Sequence, residues 1–216
     1  MNLKIIHKKS ETKDVFSLIF EKPEGFSFYP GQYLDYELAV KDPYGNTRAF
    51  TISASPTESF LMLSTKYGVT PFKKALVKLK PSDKIKTSHP AGTFTLDESS
   101  PAFFIAGGVG ITPFRSMLKF ALDNKLKTQI TLIYSNSDEN FLFKEELDTW
   151  KNKINLKIIY HNSTLSGHLT LNSRLLTLDS IYYLAGPPGF VDSIEKILLE
   201  LKVDETNIRY DRFDGY

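Results

Sequence analysis

Cysteine is absent from the 216 residues, which rules out a disulfide framework, a cysteine-ligated iron–sulfur cluster and thiol catalysis. Histidine is scarce. His7, His89, His161 and His168 fall at no ligand spacing, so no metal is assigned. There is no Gly-x-Ser-x-Gly turn to support a hydrolase triad. No apolar run is long enough to cross a bilayer, and the start, Met1–His7, alternates apolar and polar residues like a strand and unlike a signal peptide. These absences fit a cytoplasmic protein with no membrane partner. A charge excess is also missing: 27 Lys and Arg against 25 Asp and Glu leave a formal +2, too little to point to nucleic acid.

Lysine is locally crowded, with Lys73, Lys74, Lys78, Lys80, Lys84 and Lys86 in one segment. That segment reads either as a solvated helix face and strand edge or as a patch that steers an acidic partner.

Strand and turn signals dominate the first part of the chain. Leu3–Lys8, Val15–Glu21, Tyr33–Val40, Thr47–Ser53 and Phe60–Lys66 carry strand residues, with Gly- and Pro-containing turns between them. Pro71 opens a helix that Pro81 ends, and Lys84–Ser88 and Thr93–Leu96 add strands. This predicts an antiparallel Greek-key β-barrel over residues 1–98. Near Ser99 the pattern changes. Apolar strands at Ala102–Ala106, Gln129–Tyr134, Leu156–Tyr160, Ile181–Ala185 and Asn207–Phe213 alternate with helices at Pro113–Asp123, Phe143–Trp150 and Pro188–Leu201. A two-domain chain follows, with a parallel-sheet α/β nucleotide-binding domain over residues 99–216.

Four stretches carry candidate chemistry. Arg48-Ala49-Phe50-Thr51 offers a cation, a ring and a hydroxyl along a strand, where alternation places Arg48 and Phe50 on one face and Thr51 on the other unless the chain bends. Tyr67-Gly68-Val69-Thr70 precedes Pro71, so its N–H groups suit an anion, or Thr70 simply caps its own helix. Gly107-Gly108-Val109-Gly110-Ile111-Thr112-Pro113 joins a strand to a helix, as a phosphate cradle or as a tight packing turn. Gly186-Pro187-Pro188-Gly189-Phe190 stands in the same relation to the next strand and helix. Phe50 and Phe213 also read as ordinary core aromatics.

In order along the chain, these motifs resemble the ferredoxin–NADP reductase-like flavoproteins. Arg48–Thr51 is similar to their Arg-x-(Tyr/Phe)-(Ser/Thr) flavin motif, Pro30–Tyr33 to a conserved turn, and Gly68–Thr70 to their FAD-phosphate turn. Pro90–Phe94 resembles the barrel-closing segment, Gly107–Pro113 the nicotinamide-nucleotide loop, and Tyr183–Pro188 the second pyridine-nucleotide motif. The resemblance implies an NAD(P)H-dependent FAD oxidoreductase, with NADH or NADPH as hydride donor. Electrons would pass to a ferredoxin- or flavodoxin-type protein or to a small acceptor. By the same carry-over Arg48 holds FAD phosphate, Phe50 stacks on the isoalloxazine and Thr51 bonds near flavin N5. Ala49, Thr65 and Tyr67 complete the FAD wall. Ser135, Asn136, Pro187, Pro188 and Phe190 join the nicotinamide side, and Phe213 or Tyr216 covers the flavin. Three departures stand out: Ser137 where NADPH-preferring members often carry Arg, Ala185 where many have Cys, and Asp211 for a Glu near the end. The first favours NADH, with Lys144 or Arg174 as other sources of charge. The last two leave room for a non-enzymatic nucleotide-binding or regulatory module on the same scaffold.

Overall fold

Leu3 and Ile5 point into an apolar interior while Asn2, Lys4 and Ile6 face solvent, the alternation of a half-buried strand. In the computed structural model, which describes residues 1–171, 176 and 179–213, this strand belongs to a six-stranded antiparallel sheet. The sheet contains β1 (Asn2–Ser10), β2 (Val15–Glu21), β3 (Tyr33–Glu37), β4 (Thr47–Thr51), β5 (Phe60–Lys66) and β6 (Lys84–Thr87), in the order β4-β3-β6-β1-β2-β5. Just beyond β4, Ser53 N donates to Met62 O of β5 at 2.7 Å. That bond draws the two edges together, so the sheet curls into a barrel around Leu18, Phe20, Leu34, Tyr36, Leu63 and Phe72.

Helix α1 (Pro71–Lys78) begins as its sequence predicts, with the Thr70 hydroxyl accepting from Lys73 N and Pro71 in the first turn. Two expectations need correction. β3 stops at Glu37, short of Val40, and Thr93–Leu96 forms no strand. Phe94 instead turns away to pack against Phe114 and Tyr183 of the second layer, with ring centroids 5.9 and 5.6 Å apart. A ring committed sideways takes its backbone out of the ladder, and only the Tyr33–Ala91 bridge remains.

The second layer is a five-stranded parallel sheet in the order β11-β10-β7-β8-β9. Its strands are β7 (Ala102–Gly107), β8 (Ile130–Asn136), β9 (Leu156–Asn162), β10 (Ile181–Gly186) and β11 (Ile208–Arg212). Its helices are α2 (Ile111–Asp123), α3 (Lys144–Trp150), the short α4 (Ser163–Ser166) and α5 (Pro188–Glu200). Both faces are buried, which explains the continuous apolar runs. Phe104, Ala106, Tyr183 and Ala185 share a cluster with α2, whereas Phe103, Ile105, Tyr182 and Leu184 share one with α5. The chain enters at β7, runs outward through β8 and β9, and returns on the other side of β7. The carboxyl ends of β7 and β10 therefore flank a topological switch point, where such sheets bind ligands. Among the described residues no helix is long and apolar enough to cross a membrane.

Arg115 of α2 fixes the two layers together. Its guanidinium is 3% exposed; it donates to Ser53 O at 2.9 Å and Glu58 Oε2 at 3.0 Å in the barrel, and to Glu146 Oε2 of α3 at 2.7 Å. Phe143 and Trp150 flank it, with ring centroids 5.2 and 5.6 Å away. Next to it, Ser116 donates to Ala54 O at 2.7 Å. Arg115→Met strands the Glu58 carboxylate at this junction and is expected to remove about 3 kcal/mol of stability. Glu146→Gln, at the half-exposed end, should cost under about 1 kcal/mol. Urea titration followed by Trp150 fluorescence measures both.

Candidate functional site

A cleft of about 810 Å³ opens between the layers. Tyr33, Tyr44, Arg48–Thr51, Ser64–Thr70 and Lys73 form its barrel wall, and Gly107–Val109, Thr112, Pro187, Pro188 and Asp211–Phe213 form the opposite one. Its size suits a nucleotide-scale ligand. β4 pairs regularly with β3 as far as Thr51, and four consecutive residues of it, Arg48, Ala49, Phe50 and Thr51, border the cleft; beyond it Ile52 N bonds Gln32 O at 2.9 Å and Ser53 N bonds Met62 O. No described residue hydrogen-bonds the Thr51 hydroxyl, though Thr51 itself is 7% exposed.

Arg48 lines the cleft but is turned toward its own loop. Nη1 donates to the carbonyls of Tyr44, Gly45 and Thr47 at 2.7–2.9 Å, and Nη2 to Asp42 Oδ1 at 2.8 Å. Asp42 in turn accepts from Phe72 N at 2.9 Å and Tyr44 N at 2.9 Å. Burial would raise this carboxyl, but the two N–H groups and the Arg48 charge hold it below its ordinary value. Asp42, which motif reading passed over, thus joins β4 to the first turn of α1. The signal for it was local, an Asp opening an Asp-Pro-x-Gly turn, where Asx chemistry is common.

The turn before α1 is open. No described residue accepts from the N–H groups of Gly68, Val69 or Thr70. Lys73, read from sequence only as one of six crowded lysines, reaches into the cleft from the next turn. Its Nζ donates to the Thr65 hydroxyl and lies 4.7 Å from the Phe50 ring centroid. Burial, with the Arg48 charge adding to it, lowers its pKa to about 8. Tyr67 packs at a tilt against Phe16, with centroids 4.9 Å apart, and is half-exposed at the cleft edge.

Across the cleft the glycines divide by purpose. A Cβ on Gly107 would lie 2.6 Å from the Phe190 ring, one on Gly186 would sit 3.0 Å from Gly107 O, and one on Gly110 would meet Ala185 backbone at 2.5 Å. Those three serve close packing of β7, β10 and the loop. Gly108, at φ +55°, faces only Asn136 Oδ1 at 3.9 Å and borders the cleft. Residues 108–110 form a 3-10 turn, so α2 starts at Ile111 and Pro113 is its third residue, not its first. Gly110, Ile111, Pro113, Gly186 and Phe190 support the wall from behind, while Thr112 reaches it and donates to Val109 O at 3.1 Å.

Ser135 and Asn136 end β8 outside the cleft wall. The Ser135 hydroxyl pairs with His161 Nδ1 at 3.1 Å, and Asn136 Nδ2 donates to Asp138 Oδ1 at 3.0 Å. Asp138 also pairs with Lys13 at 2.8 Å, and this hydrogen bond with the Asn140 N–H pulls its pKa down to about 2. Lys144 is engaged with Asp148 at 2.5 Å and lies over Tyr160; Arg174 falls outside the described residues. On β11, Arg212 turns outward to Asp192 and Glu195 at 2.8 and 2.6 Å. Asp211 lines the cleft, and burial raises its carboxyl to about 6. Phe213 follows, held by its N–H to Gly186 O at 2.9 Å; Tyr216 lies outside the described residues.

Comparison with known proteins agrees with this architecture. Residues 104–196 match the oxidoreductase NAD-binding domain model. The chain is 27% identical to flavohemoprotein A of Dictyostelium discoideum over 95% of its length and 58% of that protein. It is 28% identical to the flavohemoprotein of Bacillus subtilis over 97% and 58%. The chain thus spans about 58% of the length of these relatives. The FAD/NAD-binding domain of nitric oxide dioxygenase from Vibrio cholerae superposes with a TM-score of 0.83 at 24% identity, covering 98% of both chains. The ferredoxin–NADP+ reductase of Plasmodium falciparum gives 0.81 at 20%, covering 98% of this chain and 95% of that one. With its barrel, its parallel sheet and a cleft bordered by the motifs of both, the chain has the two-domain fold of ferredoxin–NADP+ reductase, and most of its second layer matches the NAD-binding domain of oxidoreductases.

Proposed function

We propose that this chain is an NAD(P)H-dependent flavin oxidoreductase that holds FAD in the cleft and passes electrons to a separate acceptor. One observation carries the reading. The N–H groups at Gly68–Thr70 and the Thr51 hydroxyl, without hydrogen-bond partners among the described residues, share one wall with the Phe50 ring, facing the open Gly108 loop at the switch point. Those groups fit the polyanionic, aromatic and hydrogen-bonding parts of FAD in turn. The chemistry the cofactor supplies when bound is acceptance of a hydride and release of its electrons singly or in pairs.

The protein's part is alignment. Thr51 offers a hydroxyl to the reactive edge, Phe50 and Phe213 offer rings from opposite walls, and Gly107–Val109 with Thr112 position the nicotinamide side. Arg48 holds the loop behind the diphosphate turn through Asp42. The acceptor is a ferredoxin- or flavodoxin-type protein or a small molecule, and the reading places the enzyme in the cytoplasm.

Purified protein reconstituted with FAD should be yellow and should bleach with NADH under anaerobic conditions; failure to take up FAD overturns the reading. NADH should exceed NADPH in kcat/KM by about tenfold or more, because Ser137 offers a 2′-phosphate no charge-assisted partner where an arginine would. Asp211 is neutral below its pKa of about 6 and charged above it. A carboxylate beside a ring that gains negative charge on reduction opposes that reduction. The NADH reduction rate should therefore fall as pH rises through about 6, and Asp211→Asn should keep the low-pH rate up to pH 8 in stopped-flow measurements.

A further inference from the structure

Resting on the flavin reading, we infer that Lys73 is a cation that meets the ligand's diphosphate, and that its charge state sets how tightly the dinucleotide is held. The two cations stand on the same wall but differ in their commitments. Arg48 is 3% exposed, and its hydrogen bonds to Asp42 and to three carbonyls of residues 44–47 all point into its own loop. It works as an internal tie. Lys73 has a neutral partner, the Thr65 hydroxyl, and no carboxylate partner among the described residues.

Placement supports the same assignment. Lys73 follows the Gly68–Thr70 turn by one helical step, and its alkyl stem lies along Gly68, where any Cβ would come within 2.8 Å of Lys73 Cγ. Nζ itself ends at the Thr65 hydroxyl and over the Phe50 ring, on the cleft wall that also carries Gly68–Thr70. Among the described residues Lys73 has a hydroxyl and a ring for partners and no carboxylate, and a half-buried cation so placed favours an anion.

Other charged and titratable groups on this wall are Lys66, tied to Asp14 at 3.4 Å, Tyr44 and Tyr67; Asp211 and Arg212 lie on the opposite wall. Asp211 titrates near 6, well away from Lys73 near 8. A diphosphate that binds the ammonium form raises the pKa of Lys73, so binding above pH 8 takes up a proton and weakens as pH rises.

FAD dissociation constants for the wild type, Lys73→Arg and Lys73→Met at pH 7 and pH 9 test this, with riboflavin as a phosphate-free control. Wild-type affinity for FAD should drop about tenfold from pH 7 to pH 9. Lys73→Arg should bind tightly at both values, and Lys73→Met should bind at both about as weakly as the wild type does at pH 9. Riboflavin affinity should be the same in all three proteins. Calorimetry of FAD binding to the wild type at pH 8 in two buffers of different ionisation heat should show net proton uptake, a readout independent of how well Lys73→Met folds. Wild-type FAD affinity that is flat with pH, no proton uptake, or an equal loss for riboflavin would overturn the assignment. Wild type that binds no FAD at all would instead bring down the flavin reading beneath it.

Discussion

The Arg115 ion pair cluster is the constraint on which the cleft depends. The site is assembled from two layers that share no strand, so its dimensions are set by how α2 sits on the barrel. A guanidinium can satisfy a backbone carbonyl and two carboxylates from three segments at once because its donors are rigid and planar. Buried charge of this kind adds little net stability against a well-packed apolar substitute, but it tolerates few alternative arrangements. Ser116 to Ala54 O and the Phe94 ring between Phe114 and Tyr183 hold the same seam with weaker contacts.

With the seam fixed, the cleft divides into regions of distinct electrostatic character. The barrel wall is positive, with open N–H groups and Lys73 at one turn of α1 and the neutralised Arg48–Asp42 pair behind it. The far wall carries the half-buried Asp211 and the neutral backbone of the Gly108 loop. A ligand with an anionic middle and an uncharged reactive ring fits that layout better than a uniformly charged one. The β8 edge is different again, since Asp138 stays ionised there through its bonds to Lys13 and the Asn140 N–H.

Much of the fold was legible in the sequence because it rests on local signals. β2 and β5 begin and end where turn residues place them, and the change from alternating to continuous apolar strands near Ser99 marks a change from a one-sided to a two-sided sheet. The Thr70-Pro71 start of α1 is likewise a short-range matter of capping. Phe94 shows where such reading stops. Its segment has strand composition, yet the ring is used across the layer boundary, which no periodicity reports.

For the site, the sequence by itself determined which residue types stand at strand ends and helix starts, and hence that Arg48–Thr51, Gly68–Thr70 and the Gly107 loop carry the candidate chemistry. The tertiary structure decided their partners. It turned Arg48 into its own loop, set Lys73 and Asp211 on facing walls, and showed that Gly107, Gly110 and Gly186 are small for packing while Gly108 is left to the cleft. The physical reason is range. Backbone preference and capping act over a few residues, whereas burial, charge pairing and van der Waals contact act through space between residues whose separation along the chain carries no trace of their meeting.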